Sequence, residues 1–308
     1  MESTQKLDIV RLIDLKKEEL GSYNLVAKKL NISAGTISNM RFNKWDLISS
    51  DKWIEVAKQL GATTSTIWQI SPQTRDYKHL MLLLDRVRES CSFQIICERA
   101  GGCKTTGLKA YANQHQNNSS TPVYYMSARE WGSKRFMQEL ATTIGCRWFH
   151  KDTADAILTK VINHIELEVN QKPMFILDEC DKLKPGGIRN LIYLFNAFED
   201  RISVVISGAE ALRKNMARGV AYSALGYDEL ESRFGRSYMP MIGNNKKDVT
   251  AVCTANSVYD PEVVQEIWEN VPKIKVTRPS GKSETVVKDM RRLKKMIQIE
   301  IFKTLQNA

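Results

Sequence analysis

The chain has 308 residues, of which 43% are hydrophobic and 26% are charged, a composition that excludes a wholly disordered protein. Its formal net charge of +10 favours an anionic partner, with nucleic acid ahead of a membrane surface. The six cysteines form no CxxC pair, and neither an apolar signal segment nor a run of about 18 apolar residues is present, so we expect a soluble, cytoplasmic protein with no zinc site, disulfide framework or membrane partner.

The amino-terminal segment, residues 1–62, is predicted to be an all-α domain. A helix over 7–20 is followed by 23–40, which resembles the helix-turn-helix of phage-repressor-like domains. Asn31 lies at the turn, where a positive φ is needed, and Ser33 is placed to cap the second helix. A helical bundle that binds protein is the alternative to a DNA-binding domain. The side chains expected to reach DNA are those of Thr36, Ser38, Asn39 and Arg41.

A linker rich in Thr and Ser is predicted over 63–75, and an α/β core over 76–242. In the core, short apolar segments alternate with helical periodicity, which is typical of a parallel sheet covered by helices. An apolar helix over 77–89 precedes the first strand. The predicted strands are 93–97, 123–126, 174–177 and 203–207, and the predicted helices between them are about 105–116, 133–144, 154–170 and 188–198.

The loop after the first predicted strand has the pattern of a phosphate-binding loop. In the order G-x-x-x-x-G-K-[ST], Lys104 would neutralise the β- and γ-phosphates of ATP, and Thr105 would hold Mg²⁺. Glu98 and Cys103 stand where the two glycines of this motif are expected, so the pattern predicts nucleotide binding more firmly than hydrolysis. The remaining positions around the phosphates are Ala100, Gly101, Gly102, Cys103 and Thr106.

A second stretch, residues 175–179, is an apolar strand that ends in two acids. Asp178 is expected to help hold Mg²⁺, and Glu179 to polarise the attacking water. The alternative is an ordinary buried strand with two surface acids. The order and spacing of this stretch and the phosphate loop favour a P-loop ATPase.

Further parts follow the order found in AAA+ ATPases. Ser207 ends the fourth predicted strand, where it is placed to sense the γ-phosphate. Residues 231–236 resemble the segment that carries the arginine finger, which reaches the nucleotide of a neighbouring subunit. Arg233 and Arg236 are both candidates for that finger, and the sequence does not choose between them.

The carboxy-terminal segment, residues 243–308, is predicted to be a small basic helical domain. Helices are expected over 246–256, 261–270 and 284–305. Ten basic residues and three acidic ones lie between Pro272 and Lys303, a local balance of +7. Such a concentration favours a DNA-facing surface over an ordinary solvated face.

This order of parts resembles the family of phage Mu transposition protein B and its target-selection relatives TnsC and IstB. The resemblance implies ATP-bound subunits that assemble as a homo-oligomeric helical filament on double-stranded DNA, recruit a transposase, and leave the DNA after hydrolysis. It is carried by the segments 31–38, 97–105, 176–179 and 233–236.

The same resemblance implies that DNA is contacted by loops of the AAA+ core. In the loop 127–134, after the second strand, Arg129 and Lys134 would contact phosphates, and Lys182 and Lys184 are weaker candidates. Two other functions stay open: a helicase loader of the AAA+ class, and a repressor-like DNA-binding regulator with a degenerate nucleotide-sensing core.

Overall fold

The structure, a computed structural model, divides into two compact units, Arg75–Gly243 and a second formed by Met1–Thr74 with Asn244–Ala308. Most of the predicted linker lies outside the described residues, and the predicted domain boundaries stay predictions. No helix in the described part of the chain is long and apolar enough to cross a membrane. The described residues are 3–60, 68–69, 71–115, 121–277 and 281–306.

The amino-terminal helices pack around one apolar cluster. Its fully buried members include Ile13, Ile37, Met40 and Trp53, which come from three helices. Removing such side chains from water is the main term that stabilises a small helical unit. The helices are α1 (Ser3–Leu20), α2 (Tyr23–Lys29), α3 (Ala34–Arg41) and α4 (Ser50–Gln59), with a 3₁₀ turn at Trp45–Leu47.

The turn between α2 and α3 has the predicted local chemistry. Asn31 has φ 46°, in the left-handed region that asparagine tolerates better than most residues. Ser33 Oγ accepts the backbone N–H of Thr36 at 3.0 Å and caps α3. Both predictions about this turn are confirmed.

The core unit is built on a parallel five-stranded sheet. Its strands are β1 (Phe93–Cys97), β2 (Val123–Ser127), β3 (Met174–Asp178), β4 (Ser203–Gly208) and β5 (Tyr238–Met239), in the order β2-β3-β4-β1-β5. The four predicted strands are confirmed to within one residue at each end. The short β5 was not predicted, because two residues carry no periodic signal.

Helices cover both faces of this sheet. Neighbouring strand residues point to opposite faces, so Ile95 packs against the helices over 133–143, 154–168 and 185–198, and Ile96 packs against those over 75–89 and 104–115. This burial on both faces explains the continuous apolar strands and confirms the α/β class. The helices are α5 (Arg75–Glu89), α6 (Lys104–His115), α7 (Ser133–Thr143), α8 (Ala154–Glu168), α9 (Pro185–Phe198), α10 (Glu210–Ala221) and α11 (Tyr227–Arg233).

The carboxy-terminal part is less helical than predicted. It contains α12 (Lys246–Ala255), α13 (Pro261–Asn270), the antiparallel hairpin of β6 (Ile274–Thr277) and β7 (Ser283–Val286), and α14 (Met290–Gln306). The predicted helix start at Glu284 is wrong, because Glu284 lies in β7. The β-branched Val286 and Val287 are fully buried there, and Asp289 Oδ1 accepts the N–H groups of Arg291 and Arg292, so that α14 starts after it.

Candidate nucleotide site and candidate DNA-binding loops

The carboxyl ends of the parallel strands bring the predicted site residues to one edge of the sheet. Ser127 of β2 lies opposite Asp178 of β3, and Ser207 of β4 lies opposite Ile96 of β1. In open α/β sheets, ligands bind in the crevice outside this edge. The edge of this sheet therefore gathers side chains from β2, β3 and β4 beside the loop that follows β1.

Asp178 is the most completely bonded carboxylate at this edge, and it is only 1% exposed. Its Oδ1 accepts the Ser207 hydroxyl at 2.8 Å and the Glu179 N–H at 2.9 Å. Its Oδ2 accepts the Tyr125 hydroxyl at 3.1 Å. Burial and the adjacent Asp178 charge raise the pKa of Tyr125, so the phenol keeps the proton that it donates. Asp178 is thus a fixed carboxylate, brought together with Ser207 as predicted.

Glu179 is held differently, on a strained turn at the end of β3. Its φ is 58°, a left-handed conformation that costs a glutamate about 1–2 kcal/mol. Its Oε2 accepts the Ser127 hydroxyl at 2.9 Å and forms an ion pair with Lys182 Nζ at 2.8 Å. The hydrogen bond from Lys182 lowers the pKa of Glu179, which keeps the carboxylate ionised and makes it a weaker base while this contact lasts.

Lys104 is the first residue of α6 and is 8% exposed. Its Nζ donates to the backbone oxygens of Glu98 at 2.7 Å and Arg99 at 3.3 Å. Burial lowers the pKa of Lys104, and the negative charges of Asp178 and Glu98 oppose that effect. A buried cation at a helix amino terminus is a site that attracts an anion.

The two departures from the glycine pattern take different forms. Cys103 stands at the second glycine position with φ 57°, so it keeps the left-handed backbone that a glycine would adopt there. Glu98 stands at the first and is buried, with Oε1 accepting the N–H of Arg99 at 3.0 Å. Gly101 has φ 95° and supplies the backbone freedom predicted for it. The other predicted positions are an exposed Ala100, a buried Gly102, and partly exposed Thr105 and Thr106 in α6.

The two finger candidates are engaged within their own segment. Arg233, at the end of α11, pairs with Glu229 and lies 4.8 Å from the ring centroid of Phe195, with 23% of its side chain exposed. Arg236 pairs with Asp228 at 2.8 Å and is 53% exposed. Within the part of the chain that the structure describes, neither arginine forms a hydrogen bond or ion pair with Asp178, Glu179 or Ser207. Arg236 is the more available to another molecule.

The loops after β2 and β3, which carry the predicted DNA contacts, are joined to each other. The N–H of Lys184 donates to the backbone oxygen of Trp131 at 3.0 Å, and Ser133 Oγ donates to Asn190 Oδ1 at 3.2 Å. A Cβ on Gly187 would lie 2.8 Å from the same Trp131 oxygen, so only glycine fits there. We call these two segments, 127–134 and 180–187, the joined loops.

The basic residues of the joined loops are not equally free. Arg129 and Lys184 are exposed. Lys134 Nζ donates to the backbone oxygen of His150 at 3.0 Å, and Lys182 pairs with Glu179. The family resemblance predicted phosphate contacts at all four, with Lys182 and Lys184 as the weaker candidates, and it does not show that Lys134 and Lys182 have partners inside the chain.

The predicted base-contacting residues of α3 also differ. Arg41 Nε donates to Asp14 Oδ1 at 3.0 Å, and its guanidinium lies 3.8 Å from the ring centroid of Tyr23. Arg41 is therefore tied to α1 and α2. The other predicted contacts remain partly or fully exposed, namely Thr36, Ser38 and Asn39.

A cavity of about 470 Å³ lies behind the turn that carries Glu179. Cys180, Asp181, Met216 and Tyr222 are among the residues that line it. Asp181 Oδ1 accepts the N–H of Ala209, which ties this turn to the start of α10. The cavity is separate from the phosphate loop, so it is not the nucleotide pocket that the motif predicts.

Comparison with known proteins supports the identification of the core. Residues 87–216 match the family model described as an AAA domain. No curated protein sequence matches the chain. Among solved structures, Cdc6p from Pyrobaculum aerophilum is similar, at 15% identity and a TM-score of 0.55 over 80% of this chain and 65% of that one.

Two further structures are more distant. Domain III of the replication initiation protein DnaA from Thermotoga maritima matches at 16% identity and a TM-score of 0.47, over 80% of this chain and 89% of that one. The RuvB Holliday junction branch migration motor of the same organism matches at 13% identity and a TM-score of 0.34, over 73% and 68%.

The likeness to Cdc6p concerns the fold alone, and the chain spans 65% of the Cdc6p chain's length. With the AAA domain match and the parallel sheet in the order β2-β3-β4-β1-β5, it confirms the predicted α/β AAA+ core.

Proposed function

We propose that the chain is a cytoplasmic AAA+ ATPase that binds ATP and Mg²⁺, assembles as a homo-oligomer on double-stranded DNA, and delivers that DNA to a transposase. The observation that carries the ATPase part is that one sheet edge holds both a buried lysine, in the helix that follows the loop after β1, and a fixed carboxylate at the end of β3. Lys104 opens α6, and the charge of Asp178 acts on it. The transposase part rests on the resemblance described above.

The residues of this edge fit a magnesium nucleotide. Thr105 lies in the first turn of α6, and Asp178 is ionisable and fixed by Ser207. When bound, Mg²⁺ would neutralise charge that develops on the phosphates. Lys104 would exchange its contacts with the oxygens of Glu98 and Arg99 for phosphate oxygens, and the N–H groups of the loop would orient the nucleotide.

Glu179 would act as the base that accepts a proton from the attacking water. In the described state its Oε2 is occupied by Ser127 and Lys182, so one of these contacts has to be given up or shared before a water is activated. Arg236 is our choice for the arginine that reaches a neighbouring subunit, because it is more exposed than Arg233.

DNA would be bound through its phosphates by the joined loops, with Arg129 and Lys184 as the available cations. Phosphate contacts carry no sequence information, so we expect little sequence preference and a strong salt dependence. The exposed polar groups of α3 would add a second contact with DNA.

The central test is ATP-dependent assembly on random-sequence duplex DNA, followed by fluorescence anisotropy and electron microscopy. Wild-type protein should bind and form oligomers with ATP, and should bind weakly without it. Replacing both Arg129 and Lys184 by Ala should reduce the salt-dependence slope by about 2, while Lys151→Ala, an exposed lysine outside the joined loops, should not change it. A preference for one short operator, with no effect of ATP, would contradict the proposal.

One observation favours a second candidate, the DNA-binding regulator that senses nucleotide without spending it. Cys103 occupies a left-handed position beside Lys104, and a side chain there narrows the space for phosphates. The two functions separate in a turnover assay: the regulator would bind ATP and hydrolyse none on any DNA, whereas the proposed ATPase releases phosphate.

A further inference from the structure

We propose that Glu98, which stands where the motif has its first glycine, is a positioning residue of the phosphate loop: its side chain holds the backbone at the start of the loop in place. This inference rests on the proposed nucleotide site and deepens it. It gives Glu98, the residue that departs from the motif, a function in the loop. It also explains why position 102 has to be glycine.

Glu98 contacts both ends of the loop, and only its side-chain contact would remain when Lys104 turns to the phosphates. Its side-chain Oε1 accepts the N–H of Arg99 at 3.0 Å, at the start of the loop. Its backbone oxygen accepts Lys104 Nζ at 2.7 Å, at the end. Because the residue is only 7% exposed, its side chain has little freedom to leave this position. A glycine here would keep the second contact and lose the first.

The same side chain explains why residue 102 is glycine. A Cβ built on Gly102 would lie 2.9 Å from Glu98 Cγ and 3.4 Å from the Arg99 oxygen, closer than side-chain atoms pack. Gly102 is not among the glycines with positive φ, so alanine could adopt its backbone conformation. The need for glycine at 102 is therefore one of space, and Glu98 creates it.

The charge of Glu98 is also accounted for. Its carboxylate oxygen is directed to the Arg99 N–H, and its charge favours the protonated form of Lys104. The carboxylate thus supports the cation that the phosphates need. Glu98 and Gly102 form a compensating pair: the Glu98 side chain occupies the space that a side chain at position 102 would need.

This pairing predicts that restoring the motif does harm. Glu98→Gly should weaken ATP binding about tenfold, because the loop loses both its brace and the filled volume, and glycine adds backbone freedom. Glu98→Gln should bind within about threefold of wild type, since the amide oxygen can still accept the Arg99 N–H. Gly102→Ala should weaken binding by a similar factor to Glu98→Gly.

The decisive variant combines Glu98→Gly with Gly102→Ala. If the two residues compensate, the double variant binds ATP more tightly than Gly102→Ala alone, because the added methyl group fills the space left by Glu98. Gly186→Ala is the matched control, since a Cβ there would lie 3.6 Å from its nearest neighbour, an ordinary contact. Binding is measured by isothermal titration with ATP, and thermal unfolding shows that each variant is folded.

Three results would overturn the inference: tighter or unchanged ATP binding by Glu98→Gly, equal losses in Glu98→Gln and Glu98→Gly, or no recovery in the double variant. Failure of the proposed function looks different, because the wild-type protein would then not bind ATP at all.

Discussion

The two sides of the candidate nucleotide site reach their geometry by different means. At the ends of β2, β3 and β4, hydroxyl groups and a carboxylate hold each other, as in the bond from Ser207 to Asp178. In the loop after β1, the geometry is set by the backbone conformation, and Cys103 adopts a left-handed conformation at a position where the motif has glycine. Chemistry at the strand ends requires particular functional groups, whereas the loop requires a shape that different residues can provide. Substitutions on the two sides should therefore fail in different ways.

The largest effect is expected from Lys104→Ala. Removing a buried cation from an anion site costs about 3 kcal/mol or more, which corresponds to a loss of over about 100-fold in ATP affinity. Isothermal titration measures this loss, with Lys151→Ala as the exposed-lysine control. ATP affinity that is unchanged would show that the loop after β1 is not the phosphate site.

Glu179→Gln should separate binding from hydrolysis. A general base contributes about 10²–10⁴-fold to a rate, so turnover should fall by about that factor while ATP-bound oligomers persist on DNA. Phosphate release and the lifetime of the DNA complex report the two quantities. Glu199→Gln, at an exposed glutamate of the core unit, should behave as wild type. Dissociation at the normal rate in ATP would remove Glu179 from the role of base.

Ser207→Ala tests the carboxylate cluster itself. The variant leaves the buried Asp178 Oδ1 with the Glu179 N–H alone, and losing a hydrogen bond to a charged group costs about 1.5–3 kcal/mol. We expect a lower unfolding temperature and slower phosphate release, with ATP affinity less affected. An unfolding temperature equal to that of wild type would mean that this bond contributes little to holding the edge together.

The smallest change is expected from Cys103→Gly. Glycine relieves about 1–2 kcal/mol of left-handed strain but loses about 0.4–1 kcal/mol through the greater freedom of the unfolded chain. Stability should therefore change by about 1 kcal/mol or less, and turnover should be preserved or raised. Denaturant unfolding and phosphate release measure both. A clear loss of turnover would show that the cysteine is an adapted part of the site.

Much of the fold could be predicted because these parts of it depend on local sequence. Strands buried on both faces appear as uninterrupted apolar segments, and Asn31 and Ser33 marked their turn through their own side-chain chemistry. The hairpin of β6 and β7 was missed because apolar residues near Val286 also suit a helix. Short segments of that kind depend on tertiary packing, which periodicity does not contain.

The candidate site was predictable in its residue types and less so in its contacts. Tyr125 was missed, since a residue of β2 becomes a neighbour of Asp178 only after the strands pair. Likewise, the family resemblance predicted a DNA contact at Lys182 and the helix-turn-helix pattern predicted one at Arg41, whereas the structure pairs these residues with Glu179 and Asp14. Which charges are already partnered is a property of the fold.

The contact between Gly187 and Trp131 sets a rule for exchanging parts between proteins of this architecture. Any side chain at 187 would strike the Trp131 oxygen, and the N–H of Lys184 depends on that same oxygen. A graft that moves only one of the joined loops into another scaffold would thus leave the Lys184 N–H without its partner oxygen. The two joined loops have to be transferred together, and we expect substitutions in one to be accompanied by substitutions in the other.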